Sequence, residues 1–218
     1  MTTRSADVQV PATRGWPAVL DAGPVTLRPL RLRDGPAWVE VRRRNIEWLR
    51  PWEASAPGAA YDPRSAVSAS LATYVGMTRR LRRQARHRQG YPFAVCLDGE
   101  FVGQLNVGGV TLGSLHSAHL GYWIDSAVAG RGVMPTAVAL ATDHCFWELG
   151  LHRLEVNIRP ENTASRRVVE KLGFREEGMR PRYLHISGEW RDHICYALTS
   201  DEIPGGLLSA WIRRRNET

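Results

Sequence analysis

The sequence predicts an α/β (α+β) fold: a mixed sheet with helices on both faces and a parallel strand pair around a glycine loop. Three observations predict it. The segments read in the order β, two helices, a hairpin, then β-α-β-α-β-β. Leu120, Tyr122, Trp123 and Ile124 form a strand of aromatic and branched residues that runs through Gly130-Arg131-Gly132 into the helical spacing of Ala137, Val138, Leu140, Ala141, Cys145, Phe146 and Leu149. Asp98-Gly99 stands between two apolar runs, which is a hairpin signal.

Taken in order, residues 1–23 carry proline and glycine with no period and read as a flexible arm. Val25 to Leu30 alternates and reads as the first strand. Asp34 followed by Pro36 caps a helix expected over Ala37 to Trp48, which Pro51 ends. Ala54 to Ala60 is small and irregular. A second helix is expected from Asp62-Pro63 through Tyr74 and Leu81 to Arg88. After the hairpin, Ala118 to Asp125 is the central strand, and Pro135 suits the first position of the helix whose apolar spacing sets in from Thr136. Leu151 to Arg159 is a further strand. Asn162-Thr-Ala-Ser165 opens a helix that Gly173 closes, and two strands follow about Ser187-Gly188. This makes 24–200 one domain and 201–218 a tail, with Leu207, Leu208, Trp211 and Ile212 as the patch on which a short helix could dock back.

A chain of 218 residues with 43% apolar residues has enough material for one sizeable core. It holds no run of about eighteen apolar residues, and Met1 to Asp7 lacks the apolar core of a secretory signal. Cys96, Cys145 and Cys195 lie far apart in apolar segments without metal-ligand spacing, so they read as buried thiols in a reducing cytoplasm, with no metal expected. The net charge of +7 is carried by arginine, since Lys171 is the only lysine. That bias reads either as GC-rich coding or as the mark of an acidic partner. Arg79 to Arg88 packs six arginines and His87 into ten residues. It is either a solvated helix end favoured by the dipole or an RNA or ribosome contact.

The strand–loop–helix unit also has two readings. Its free backbone N–H groups and the positive helix end suit a phosphate, or its glycines merely allow a turn with positive φ.

Three stretches resemble the GCN5-related N-acetyltransferase (GNAT) superfamily, and within it the ribosomal-protein alanine acetyltransferases of the RimJ and RimL type. They are Ala129-Gly-Arg-Gly-Val-Met134, Arg159-Pro-Glu-Asn-Thr-Ala-Ser-Arg-Arg-Val-Val-Glu-Lys-Leu-Gly-Phe174, and Tyr183-Leu-His-Ile-Ser-Gly-Glu-Trp-Arg-Asp-His193, with Leu49-Arg-Pro-Trp-Glu53 in support. The likeness runs from about Val25 to Thr199. Ala129 and Met134 depart from the family's loop, which puts a polar side-chain contact in doubt but not the backbone seat.

The resemblance implies a mostly antiparallel sheet whose central parallel pair is splayed around the cofactor, and an enzyme that uses acetyl-coenzyme A. The N–H groups of Gly130, Arg131, Gly132, Val133 and Met134 would hold the pyrophosphate, with the Arg131 and Thr136 side chains assisting. Trp123 and Ile124 would offer strand backbone to the pantetheine arm. Asn162 would bond its amide and Ser165 would donate to the leaving thiolate, although both also read as helix-cap residues. Trp48, Trp52 and Glu53 would receive the acceptor amine, or else form a hinge packed on the core. Candidates for the general base are His119, Glu155, Asp192 and His193; a lone strand histidine such as His119 is more often structural, and Glu155 reads equally as an arginine's partner. The expected reaction is direct acetyl transfer to a primary amine, foremost a protein N-terminus, ribosomal in the RimJ-type case. A small amine such as an antibiotic or polyamine is the alternative acceptor, and a non-catalytic RNA- or ribosome-binding relative is the alternative class.

Overall fold

The computed structural model describes residues 15–58 and 69–217. Eight strands form one sheet in the order β1-β2-β3-β4-β5-β6-β8-β7. They are β1 (Leu20–Ala22), β2 (Val25–Pro29), β3 (Gly90–Leu97), β4 (Glu100–Thr111), β5 (Ser117–Ile124), β6 (Arg153–Ile158), β7 (Arg175–Ile186) and β8 (Glu189–Thr199). Every neighbouring pair is antiparallel except β5 and β6, which run parallel. The expected architecture is therefore the one observed. No helix among the described residues is long and apolar enough to cross a membrane.

Helices cover both faces because the central strands are apolar on both. On β3, Tyr91, Phe93 and Val95 join the core that contains α4 (Val133–Trp147), α5 (Thr163–Leu172) and α6 (Leu207–Asn216). The alternate residues Ala94 and Cys96 join a second core with Trp38, Val39 and Val41 of α1 (Gly35–Arg44) and Tyr74 of α3 (Leu71–Arg86). A short α2 (Ile46–Leu49) follows α1.

α4 has no polar face: thirteen of its fifteen residues are buried. It can be apolar all round because the tail covers its outer side. The Asp143 carboxylate of α4 accepts the N–H groups of Leu207 and Leu208 at 2.6 and 3.0 Å, which caps α6 from outside its own chain segment. Trp211 of α6 then reaches inward, and its indole N–H donates to Thr136 Oγ1 at 2.9 Å.

Several expected boundaries move. α4 starts at Val133, because Gly132 takes the left-handed conformation (φ 81°) and serves as the cap; Pro135 is the third helical residue, not the first. The first helix does not run unbroken to Trp48. It stops at Arg44, and Asn45 (φ −110°, ψ 20°) separates it from α2. α3 begins at Leu71, where the Ser70 hydroxyl accepts the Thr73 N–H at 3.1 Å. The start expected at Asp62-Pro63 lies outside the described residues, as does most of the 1–23 arm. The end of that arm is not free: Leu20–Ala22 is β1, paired with β2.

Candidate functional site

The parallel pair is joined only at its beginning. Ser117, Ala118 and His119 pair with Arg153, Leu154 and Glu155, and no pairing follows. On the outer sides the ladders continue: β4 follows β5 to Ile124, and β8 follows β6 to Ile158. The sheet thus opens as a V between residues 120–124 and 156–158. Strand alternation sends Tyr122 to the α4–α5 face and Trp123 to the α1 face.

On the α5 face, Ser165 Oγ donates to Tyr122 Oη at 3.0 Å, and Tyr122 Oη reaches the Ser165 carbonyl at 3.3 Å. Burial raises the Tyr122 hydroxyl pKa well above that of a free tyrosine, against the lowering effect of the Ser165 bond, so Tyr122 stays protonated. Asn162 Oδ1 accepts the Ser165 N–H at 3.1 Å, the helix-cap arrangement. Its amide Nδ2 makes no hydrogen bond with the described residues. Arg167 and Lys171 of α5 are exposed.

At the mouth of the V, the chain leaves β5 through a single 3-10 turn and enters the glycine loop. Gly130 and Gly132 have φ of 77° and 81°, so both glycines are required by the backbone. The side chains of Val133 and Met134 are buried, which leaves only their N–H groups at the surface of the first helical turn. Arg131 is exposed. Thr136 is spent: its hydroxyl donates to the Gly132 carbonyl at 2.9 Å and accepts Trp211. It shapes the loop from beneath, so the direct assistance expected of it has no free hydroxyl behind it.

The opposite face is built of arginines matched to carboxylates. His119 and Glu155 sit side by side in the parallel register. Arg153 holds Glu155 at 3.0 Å and Arg180 holds it at 2.9 Å. Desolvation raises its pKa, but these two arginines outweigh that and hold the carboxyl below the ordinary range. Desolvation lowers the His119 pKa, against the pull of Glu155, which favours a neutral imidazole. Asp192 accepts the Arg182 N–H at 2.7 Å, and the buried His193 has Nδ1 3.0 Å from the Arg191 carbonyl. His193 too is lowered, chiefly by desolvation.

A strap of residues 50–55 crosses the open end of the V on this face. Glu53 forms an ion pair with Arg42, whose guanidinium lies between the Trp38 and Trp123 rings at 5.5 and 5.3 Å. Glu53 is therefore no unclaimed acid waiting for a cation. Trp52 carries the Arg159 guanidinium over its ring at 5.4 Å, and Arg159 donates to the Pro51 carbonyl at 2.8 Å. Ala54 bridges to Ile186, and the Ser55 and Ser187 N–H groups bond across to His185 and Glu53 carbonyls at 2.9 and 3.0 Å. Trp48 is 40% exposed.

The structure brings Ser165 and Asn162 together on one side of the V. It puts His119 and Glu155 on the other side, with Trp48, Trp52 and Glu53 along the strap. Tyr122 and Arg42 were not among the expected site residues. The period-two alternation of β5 could have assigned Tyr122 to the Ser165 side, whereas no local pattern ties Arg42 to Glu53.

A sheet pried apart at a parallel pair, with a glycine loop and a helix N-terminus at the mouth, is the architecture of an acyl-group transferase that uses a nucleotide-bearing thioester. The model of the Acetyltransferase (GNAT) domain matches residues 25–175, and the chain belongs to the GNAT family. It is an acetyl-coenzyme A-dependent N-acetyltransferase. It is 32% identical over 181 residues to the [ribosomal protein uS5]-alanine N-acetyltransferase of Escherichia coli, a match covering 80% of this chain and 88% of that protein. It is 38% identical to the probable N-acetyltransferase YjcK of Bacillus subtilis over 105 residues, 48% of this chain and only 58% of the relative. Among solved structures, Mycobacterium smegmatis RimJ in complex with CoA-disulfide superimposes with a TM-score of 0.85 at 41% identity, covering 93% of this chain and 97% of that one.

Proposed function

We propose that the protein acetylates the N-terminal α-amino group of a protein, a ribosomal protein foremost, in the cytoplasm. One observation carries the choice of acceptor. The carboxylates facing the V from the strap and from β6, Glu53 and Glu155, are each matched by arginine. Such a lining has no excess negative charge to attract a polyamine, whereas an α-amino group needs none. Its unperturbed pKa of about 7.7–8.0 leaves a neutral fraction at pH 7. The names of the relatives support the same reading.

The chain's own groups then have these tasks. The N–H groups of Gly130 to Met134, with the Arg131 charge, suit a pyrophosphate. The two left-handed glycines keep that concavity free of side chains, which is the fit expected of a cofactor seat. The backbone of Ile124, which faces away from β4 and has no β6 partner, lines the V for an extended arm, while that of Trp123 faces β4. The free amide of Asn162 can bond that arm. Acetyl-coenzyme A supplies the activated acetyl group. A main-chain N–H near Ile124 stabilises negative charge on the acetyl oxygen. The Ser165 hydroxyl, held beside Tyr122, would turn its hydrogen to the departing thiolate as a hydrogen bond, and the thiolate takes its proton from solvent, to which His119 returns the proton of the amine. His119, kept neutral by desolvation, takes the proton from the incoming amine, directly or through a water, and Glu155 steadies the resulting imidazolium. Incubation with acetyl-coenzyme A and either a peptide with a free N-terminal alanine or spermidine tests the proposal. Thiol release with the peptide and not with spermidine is expected; the reverse overturns it.

The arginines of α3 favour a ribosomal setting. Arg79, Arg80, Arg83 and Arg86 are exposed and have no carboxylate partner among the described residues. Arg28, Arg42, Arg44, Arg50, Arg153, Arg159, Arg175, Arg180 and Arg191 each have one. An unmatched cationic helix face fits RNA phosphates. Fluorescence anisotropy with duplex RNA at two salt concentrations should give a steep salt dependence that R79E/R83E flattens; equal slopes would count against the contact.

A further inference from the structure

We propose that Asn45 is a positioning residue that couples the glycine loop to the strap, so that occupancy of one sets the other. The coupling runs through buried groups. Asn45 is 1% exposed and occupies the joint between α1 and α2, from which the strap hangs. Its Nδ2 donates to the Val41 carbonyl and to Asp125 Oδ1, both at 2.8 Å. Its Oδ1 accepts the Ser126 N–H at 2.9 Å. Asp125, 2% exposed, is the residue at which β5 passes into the loop. It also accepts the Ala127 N–H at 3.2 Å and the Arg44 Nε at 3.1 Å.

Three side chains from the last turn of α1 thus grip both half-sites. Arg42 holds Trp123 and Glu53, while Arg44 and Asn45 hold Asp125 and Ser126. A helical turn with every buried polar group of Asn45 satisfied is stiff, because rotation of either end leaves a donor or acceptor unpaired. An anion seated on the Gly130 to Met134 N–H groups therefore pulls, through the hydrogen-bonded turn at 126–129, on Ser126, and through Asn45 on the first residues of the strap. Asn45 and Asp125 are both buried and lie outside the Gly130–Met134 seat and the 50–55 strap. Their part is to make the two halves answer to each other.

The inference rests on the loop being the seat of coenzyme A, and the test separates the two. The full chain is saturated with coenzyme A alone, as judged by calorimetry, and backbone hydrogen exchange is followed in residues 50–55. The reporter is the Ser55 N–H, which donates to the His185 carbonyl at 2.9 Å. Coenzyme A should slow exchange in the strap by about fivefold or more in the unaltered protein, at the lower end of ordinary coupling between sites. In Asn45→Ala, at saturation, the slowing should vanish. Arg44→Met trims only the half-exposed outer arm of the node and should halve it, which keeps the test open if Asn45→Ala folds poorly. A strap indifferent to bound coenzyme A, or full slowing in both variants, overturns the coupling. Failure of coenzyme A to bind the unaltered protein overturns the seat and the coupling together.

Discussion

On one face of the sheet, α4 is sealed by α6 and the loop it carries is shaped by main chain: two left-handed glycines, buried Val133 and Met134, and Thr136 turned inward to Trp211. On the other face, the strap and the flanks of β5 and β6 are held by side chains, with Arg42 on Glu53, Arg153 and Arg180 on Glu155, and Arg159 on Trp52. The contrast matches the two tasks proposed. Backbone N–H groups suit a ligand that never changes, since they survive most substitutions. Matched charges suit a partner that differs between relatives, since each pair can be exchanged without refolding the scaffold.

If this division is right, the ionic face should be the fragile one. Arg42→Ala leaves Glu53 half-buried without its partner and strips both tryptophan rings of their cation. It should destabilise the fold by about 3–5 kcal/mol, read from urea unfolding. A cost below about 1 kcal/mol would make the strap an ornament rather than a built element. Ser165→Ala probes the other face and should lower kcat about a hundredfold with little change in KM, whereas Tyr122→Phe should cost about tenfold, because it orients the serine without donating to sulfur. Equal losses would shift the donor role to Tyr122. Asp143→Ala uncaps α6 and should cost about 1–2 kcal/mol in thermal or urea unfolding, with the donor's affinity falling alongside, since Trp211 supports Thr136.

The smallest effect is in pH. With its pKa lowered by desolvation, His119 loses its proton below the pH at which a free imidazole would. As a base it gains activity as pH rises through that lowered value and is fully competent above about 6.5. A kcat/KM profile should therefore show an acid limb below about 6.5, separate from the limb of the amine near 7.7–8.0, and His119→Gln should remove only the first. Folding carries the same sign. A histidine lowered in the folded state, such as the buried His144, binds fewer protons than in the unfolded chain. It leaves stability intact above the unfolded pKa and erodes it as pH falls below.

What was legible in the sequence were features written into consecutive residues. The Asp98-Gly99 turn, the Asn162 cap with Gly173 at the far end, and the apolar run of α4 are local patterns, and each stands where it was expected. Boundaries that depend on a backbone angle were not legible. The letters allow positive φ at the loop glycines but do not say that Gly132 caps the helix, so the start of α4 was placed late, at Pro135. The break at Asn45 escaped for a different reason: Ile46, Trp48 and Leu49 continue a helical spacing, and the Asp125 and Ser126 groups that bond the Asn45 side chain lie about eighty residues on. The arginine-to-carboxylate matching of the strap face was likewise invisible. Glu53 looked like a free acid because Arg42 lies eleven residues back on another element.

The family model ends at residue 175, and the resemblance in the sequence at about 199, yet α6 reaches 216. A truncation designed on either boundary would strip the cover from a helix that has grease on every side. The product would be an aggregating fragment rather than a minimal catalyst, so a working protein must be drawn with its last helix kept.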